Sequence, residues 1–177
     1  SRNHGYDVVN CINAMHDGRL KLFFAMGGNF LSAAPDTLYT ADALRKTNLT
    51  VHVSTKLNRS HLIHGRQALI LPCLGRTDTD MQQGMPQFVS CENSMGVVQM
   101  SKGVLNPPSK HLLSEVSIVC RLAHATLGDR FNVNWRALEN DYNLIRDLVE
   151  KTIPGFEKYN GRIKQPSGFY FPNAAKQ

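Results

Sequence analysis

The chain has 177 residues, with 20 Lys and Arg against 14 Asp and Glu and a net charge of +6. That length allows one domain with its own core, and the apolar runs stop far short of the roughly 18 residues a membrane span needs. The basic residues are scattered, with no run of five or six, which describes a solvated basic surface rather than a nucleic-acid-binding face.

Residues 6 to 16 predict a helix, because Val8, Val9, Ile12 and Met15 recur at helical spacing before Gly18. Leu20 to Met26 predicts a strand whose unbroken apolar run expects both faces to be covered. After the Gly27-Gly28 turn, Pro35-Asp36-Thr37 starts a helix with Leu38, Ala41 and Leu44 on one face. Leu49 to Ser54 is a β-branched strand. Asn58 to Gly65 is a polar connection with room for one helical turn, and Ala68 to Leu71 is a third strand, stopped by Pro72. Helix, strand, helix, strand, turn, strand is the order of an α/β parallel sheet.

Gly75 to Pro86 reads as a long polar loop. Phe88 to Val89 and Val97 to Met100 read as small strands around Glu92 to Gly96, and Asn106 to Ser109 as another loop. Leu113, Val116, Cys120, Ala123 and Leu127 mark a helix ended by Gly128. Asn134 caps a second helix carrying Trp135, Leu138, Tyr142, Ile145 and Val149, stopped by Pro154-Gly155. The tail from Phe156 to Gln177 has aromatics but no period, and is expected to wrap a neighbouring surface. Cys11, Cys73, Cys91 and Cys120 have no metal-ligand spacing, and a reducing cytoplasm is the expected compartment. The chain shows no signal pattern and no initiator Met, and reads as a fragment of something longer.

Ligands in open parallel sheets collect outside the carboxyl ends of the strands. Three polar stations fall there: Gly27-Gly28-Asn29, the run Ser54-Thr55-Lys56-Leu57-Asn58-Arg59-Ser60, and Cys91-Glu92-Asn93-Ser94. The first lets backbone N–H groups approach a ligand closely. The second carries hydroxyls for a base or ribose edge and two cations for phosphate. Each also has a plain structural reading, as a tight turn, a cap or a loop. His52, His61 and His64 read as loop or capping histidines, with neither catalytic nor metal residues assigned.

The order of these stations resembles the molybdopterin-dependent oxidoreductases, the formate dehydrogenase and DMSO reductase superfamily. The resemblance rests on Gly27-Gly28-Asn29-Phe30, Val51-His52-Val53-Ser54-Thr55, Leu57-Asn58-Arg59-Ser60-His61, Leu69-Ile70-Leu71-Pro72, Asn93-Ser94 and Val98-Gln99. It covers most of Leu20 to Leu127 and continues more weakly to the tail. The wording is most similar to the formate-dehydrogenase-like alpha subunits linked to bacterial acid resistance.

The resemblance implies a Rossmann-like three-layer α/β domain with a short, mostly parallel sheet flanked by helices. The whole chain, 1–177, would be a single domain of a longer protein, with a cofactor-binding core over 1–127 and a helical, irregular extension over 128–177. It implies a bis-molybdopterin guanine dinucleotide cofactor with molybdenum or tungsten, and an iron–sulfur cluster possible in the parent but not in this segment. Gly27, Gly28, Asn29, Phe30, Ser54, Thr55, Lys56, Asn58, Arg59, Ser60, Asn93 and Ser94 are the residues carried over as cofactor-binding. The implied partners are that dinucleotide and the remaining domains of the same chain, with no nucleic acid and no membrane. The parent would be an oxidoreductase; the segment alone lacks a recognisable metal-ligating residue. Three positions depart from the family pattern: Phe30 stands for a common Pro, Thr55 for a guanine-reading Asp, and Met95-Gly96-Val97 for charged residues. The alternative is a stand-alone α/β nucleotide-binding or interaction module without a redox role.

Overall fold

Asp7 opens the first helix: its carboxylate accepts the Asn10 N–H at 2.8 Å, and α1 follows as Val8–His16. The computed structural model describes residues 5–171. Strands β1 (Leu22–Met26), β2 (Leu49–Ser54) and β3 (Gln67–Pro72) form one parallel sheet in that order. In register, Phe24 lies opposite Val51, and Val51 opposite Leu69. Between β1 and β2 come the single turn α2 (Phe30–Ala33) and α3 (Thr37–Arg45); a 3-10 turn, Arg59–Leu62, joins β2 to β3. The result is the mixed α/β architecture with a parallel sheet flanked by helices that the order of elements predicts.

The helices bury Ile12, Met15, Leu31, Ala41 and Leu44 together, with Phe23 packed against them. Each large side chain so buried contributes about 1.5–3 kcal/mol. Two expectations change here. Helices cover only one face of β1: Phe23 packs against them, while Leu22, Phe24 and Met26 on the other face stay 57, 37 and 38% exposed. Asp36 caps α3 by accepting the Tyr39 N–H, and the resulting phase turns Thr40, Ala41, Ala43 and Leu44 inward while Leu38 points to solvent.

The chain divides into two compact units, Ser1–Cys73 and Leu74–Gln177. The division falls after β3. In the second unit, β4 (Met81–Gln82) and β5 (Met85–Pro86) form a small antiparallel ribbon inside the stretch read as a loop. Strands β6 (Val89–Glu92), β7 (Val97–Ser101) and β8 (Phe169–Tyr170) make a second antiparallel sheet.

Ser114 caps α4 (Glu115–Leu127) by accepting the Ser117 N–H, and Gly128 ends it, as the sequence predicts. The single helix expected after Asn134 is instead two, α5 (Trp135–Asn140) and α6 (Tyr142–Thr152). Asp141 between them is extended, and its carboxylate caps α6 at the Asn143 N–H. The Gln87 side-chain oxygen takes the Tyr142 N–H at 3.0 Å, and the Tyr142 hydroxyl reaches Asp80 and Ser114. A capping carboxylate and these tertiary partners outweigh the continuous helical period.

The described part of the tail builds a core of its own. Tyr159, Ile163 and Phe169 are buried with Val98, and Phe88, Val149, Phe156 and Phe171 pack around them. Tyr159 starts α7 (Tyr159–Arg162), and Phe169 lies in β8, paired with Val98 of β7. The Arg146 and Arg162 guanidiniums each lie 3.9 Å from a ring centroid, of Phe88 and Phe169. Residues 172–177 of that tail lie outside the described residues. No helix among the described residues is long and apolar enough to cross a membrane.

Ile163 is fully buried in the second core. Ile163→Ala is expected to cost about 2–5 kcal/mol of unfolding free energy, read from the shift in urea midpoint at constant slope.

Candidate functional site

The two strand-end turns of the first unit are hydrogen-bonded to each other. The Gly27 N–H donates to the Val53 carbonyl at 2.8 Å, so the β1 turn starts against β2. Gly27 and Gly28 then take φ of +65° and +64°, a left-handed region that costs other residues roughly 1–2 kcal/mol each. The chain leaves β2 at Ser54 and returns through Asn58, whose amide NH2 donates to the Gly28 carbonyl at 2.8 Å. The Ser60 hydroxyl donates to the Asn29 side-chain oxygen at 2.6 Å and accepts the Leu31 N–H at 3.0 Å. The Ser32 N–H donates to the same Asn29 oxygen at 3.3 Å.

These bonds fix which end of each amide faces where. An N–H only donates, so the Asn29 end that meets the Ser32 N–H is its oxygen. The Asn29 NH2 group is then directed away from that contact and makes no hydrogen bond among the described residues. By the same reasoning the Asn58 oxygen accepts the Ser60 N–H at 2.9 Å, and both ends of its amide are engaged within the protein. Ser60 is buried, with its hydroxyl used twice. Gly27, Gly28, Thr55, Lys56 and Arg59 are exposed, and Asn29 and Phe30 half-buried. Neither Lys56 nor Arg59 has an ion-pair partner among the described residues.

Behind the turns lies a histidine pair. The His61 Nδ1 accepts the Asn58 N–H at 3.0 Å, which places the ring proton on Nε2, donated to the Ser54 hydroxyl at 3.0 Å. With the Asn58 oxygen on the Ser60 N–H, this closes a capping box, the role expected of His61. The His52 ring stacks at a tilt, 4.7 Å from the His61 ring, and its Nε2 is buried without a hydrogen-bond partner among the described residues. Gly65 closes the loop where a Cβ would meet the Thr47 carbonyl oxygen at 2.5 Å.

The third station belongs to the second unit. Asn93 sits at the tip of the β6–β7 hairpin, where its side-chain oxygen accepts the Met95 and Val97 N–H groups at 2.9 and 3.1 Å. Its own NH2 group makes no hydrogen bond among the described residues, and Ser94 beside it is exposed. The second unit also carries a partly open pocket of about 120 Å³ lined in part by Asp80, Gln87, Ser114 and Tyr142. Those four polar side chains are bonded to one another or to neighbouring backbone, which leaves little to recognise a ligand. Sequence reasoning missed this network, because Asp80, Ser114 and Tyr142 are distant in the chain and match no motif. Among the described residues no cluster of His, Cys, Asp and Glu is arranged to hold a metal.

No protein-family model matches the chain. It is 52% identical over 172 residues to a protein of Mycobacterium tuberculosis (strain ATCC 25618 / H37Rv) named as an uncharacterized oxidoreductase. That alignment takes in 97% of this chain and 22% of the relative, and a counterpart from Mycobacterium bovis gives the same figures. The chain is also 42% identical over 173 residues to Protein YdeP of Escherichia coli K12, taking in 98% of this chain and 23% of that protein. The chain thus spans under a quarter of the length of the curated relatives it matches.

Burial, and then the neighbouring His61, lowers the His52 pKa below the ordinary imidazole value of 6.5. The unfolded chain therefore binds more protons between the folded and unfolded values. This contribution to stability is complete above about pH 6.5 and is lost as pH falls towards the folded value. Urea midpoints should drop between pH 7.5 and pH 5, and His52→Phe should flatten that drop; an unchanged slope in the variant would refute the assignment.

Proposed function

We propose that this chain is the nucleotide-holding part of a molybdopterin-dependent oxidoreductase of the formate-dehydrogenase-like kind. The single observation that carries the reading is the clipped pair of strand-end turns, with the Asn29 NH2 turned outward from its bonded oxygen. Similarity to larger proteins, among them two named oxidoreductases, supports it.

The residues fit a guanine dinucleotide. A diphosphate offers only acceptors and negative charge, and it meets an amide NH2, a glycine turn, an ammonium and a guanidinium here. Exposed Thr55 offers a hydroxyl to a base edge, though without the carboxylate that an Asp would supply at that position. Gly28, Asn29, Thr55, Lys56 and Arg59 would hold the nucleotide. When bound, the metal carried by the pterin supplies the two-electron chemistry, and the residues of this chain bind and orient the group.

The test uses the full-length natural protein, purified from a host that makes the cofactor. Acid hydrolysis should release GMP, and metal analysis should find molybdenum or tungsten. Asn29→Ala and the pair Lys56→Ala/Arg59→Ala should each lower GMP and metal content about tenfold, the scale of losing a charge-assisted hydrogen bond. Full metal loading in both variants would overturn the assignment.

A further inference from the structure

We infer that Asn58 and Ser60 are positioning residues that aim Asn29, and that neither contacts the nucleotide. The inference rests on the proposed nucleotide site and separates two roles that the sequence pattern merges. Both residues lie in the polar run after β2, and by family position both fall among the ligand contacts. Their hydrogen bonds say otherwise.

The Ser60 hydroxyl is buried, donates to the Asn29 oxygen at 2.6 Å and accepts the Leu31 N–H at 3.0 Å. Asn58 gives its NH2 to the Gly28 carbonyl at 2.8 Å and its oxygen to the Ser60 N–H at 2.9 Å. A phosphate oxygen reaching the Ser60 hydroxyl would have to break the bond that aims Asn29, and Asn58 has its oxygen and one N–H committed within the protein. What the two residues accomplish is orientation. With its oxygen held by Ser60 and Ser32, the Asn29 amide cannot flip, so its NH2 group keeps one orientation, away from those two contacts. With its carbonyl held by Asn58, Gly28 cannot swing an acceptor oxygen towards an anion. A diphosphate, which is all acceptor, is repelled by a carbonyl and bound by an NH2. The brace therefore selects the one rotamer of Asn29 and the one peptide orientation that suit it, before the ligand arrives.

The test is a double-mutant cycle on affinity for GDP, measured by calorimetry on the full-length natural protein from a host that cannot make the cofactor. Ser60→Ala should weaken GDP binding about tenfold in the native background. In an Asn29→Ala background it should weaken binding less than twofold, because no amide remains to aim. Ser60→Thr, which keeps the hydroxyl, should restore the affinity. Asn58→Asp keeps the acceptor for the Ser60 N–H but sets an oxygen against the Gly28 carbonyl, and should weaken GDP binding about tenfold as an independent arm.

Equal losses in both backgrounds would mean that Ser60 touches the ligand, and would overturn the proposal. A fall in thermal midpoint with GDP affinity unchanged would reduce the brace to a structural role, and would also overturn it. If Asn29→Ala itself leaves GDP affinity unaltered, the nucleotide site falls and the positioning role with it. A loss on Asn29→Ala with none on Ser60→Ala or Asn58→Asp would sink the positioning role alone.

Discussion

The organisation of the first unit depends on one constraint: two loops at the same edge of a parallel sheet must be held together without a strand or a helix to do it. Parallel strands bring their carboxyl ends to one edge, but nothing in the ladder fixes the turns beyond it. Here the Asn58 amide, the Ser60 hydroxyl and the Asn29 oxygen supply that connection. The 3-10 turn is stabilised in the same act, because Asn58 and His61 cap each other. Glycines 27 and 28 make the arrangement possible, since the chain must turn twice through left-handed backbone to bring Asn29 within reach of Ser60.

Ordering side chains in a loop costs conformational entropy, and an exposed brace would recover little of it. Burial of Ser60 and His61 changes the balance, because bonds shielded from water do not exchange for solvent partners. The same burial leaves His52 with a nitrogen lacking a partner among the described residues and favours its neutral form. Site geometry and acid sensitivity thus share one cause, a polar cluster packed under the turns.

The chain aligns with proteins more than four times the aligned length, two of them named oxidoreductases. The first unit presents a glycine turn and two exposed cations at the carboxyl edge of its sheet. Lys56 and Arg59 are exposed without ion-pair partners among the described residues, and the Asn29 NH2 group makes no hydrogen bond among them. The second unit is built on other terms, around aromatic rings and the Tyr142 network, and offers the hairpin tip at Asn93 as its polar counterpart.

Periodicity and end signals determined the order of strands and main helices in the first unit. β2 was legible to the residue, because β-branched side chains ran between clear breakers, and Asp36 and, in the second unit, Gly128 mark helix ends that local signals reveal. The three polar stretches were legible as turns and loops, since Gly, Asn and Ser favour the backbone found there. Tertiary structure alone decided the rest. The helix break at Asp141 needed Gln87, more than fifty residues away, and the aromatic tail found its period only by packing on β7. That Asn58 and Ser60 bind the neighbouring turn depends on which groups the fold brings within hydrogen-bond distance. Residue type states what a side chain is able to donate or accept; only the folded chain determines what stands opposite it.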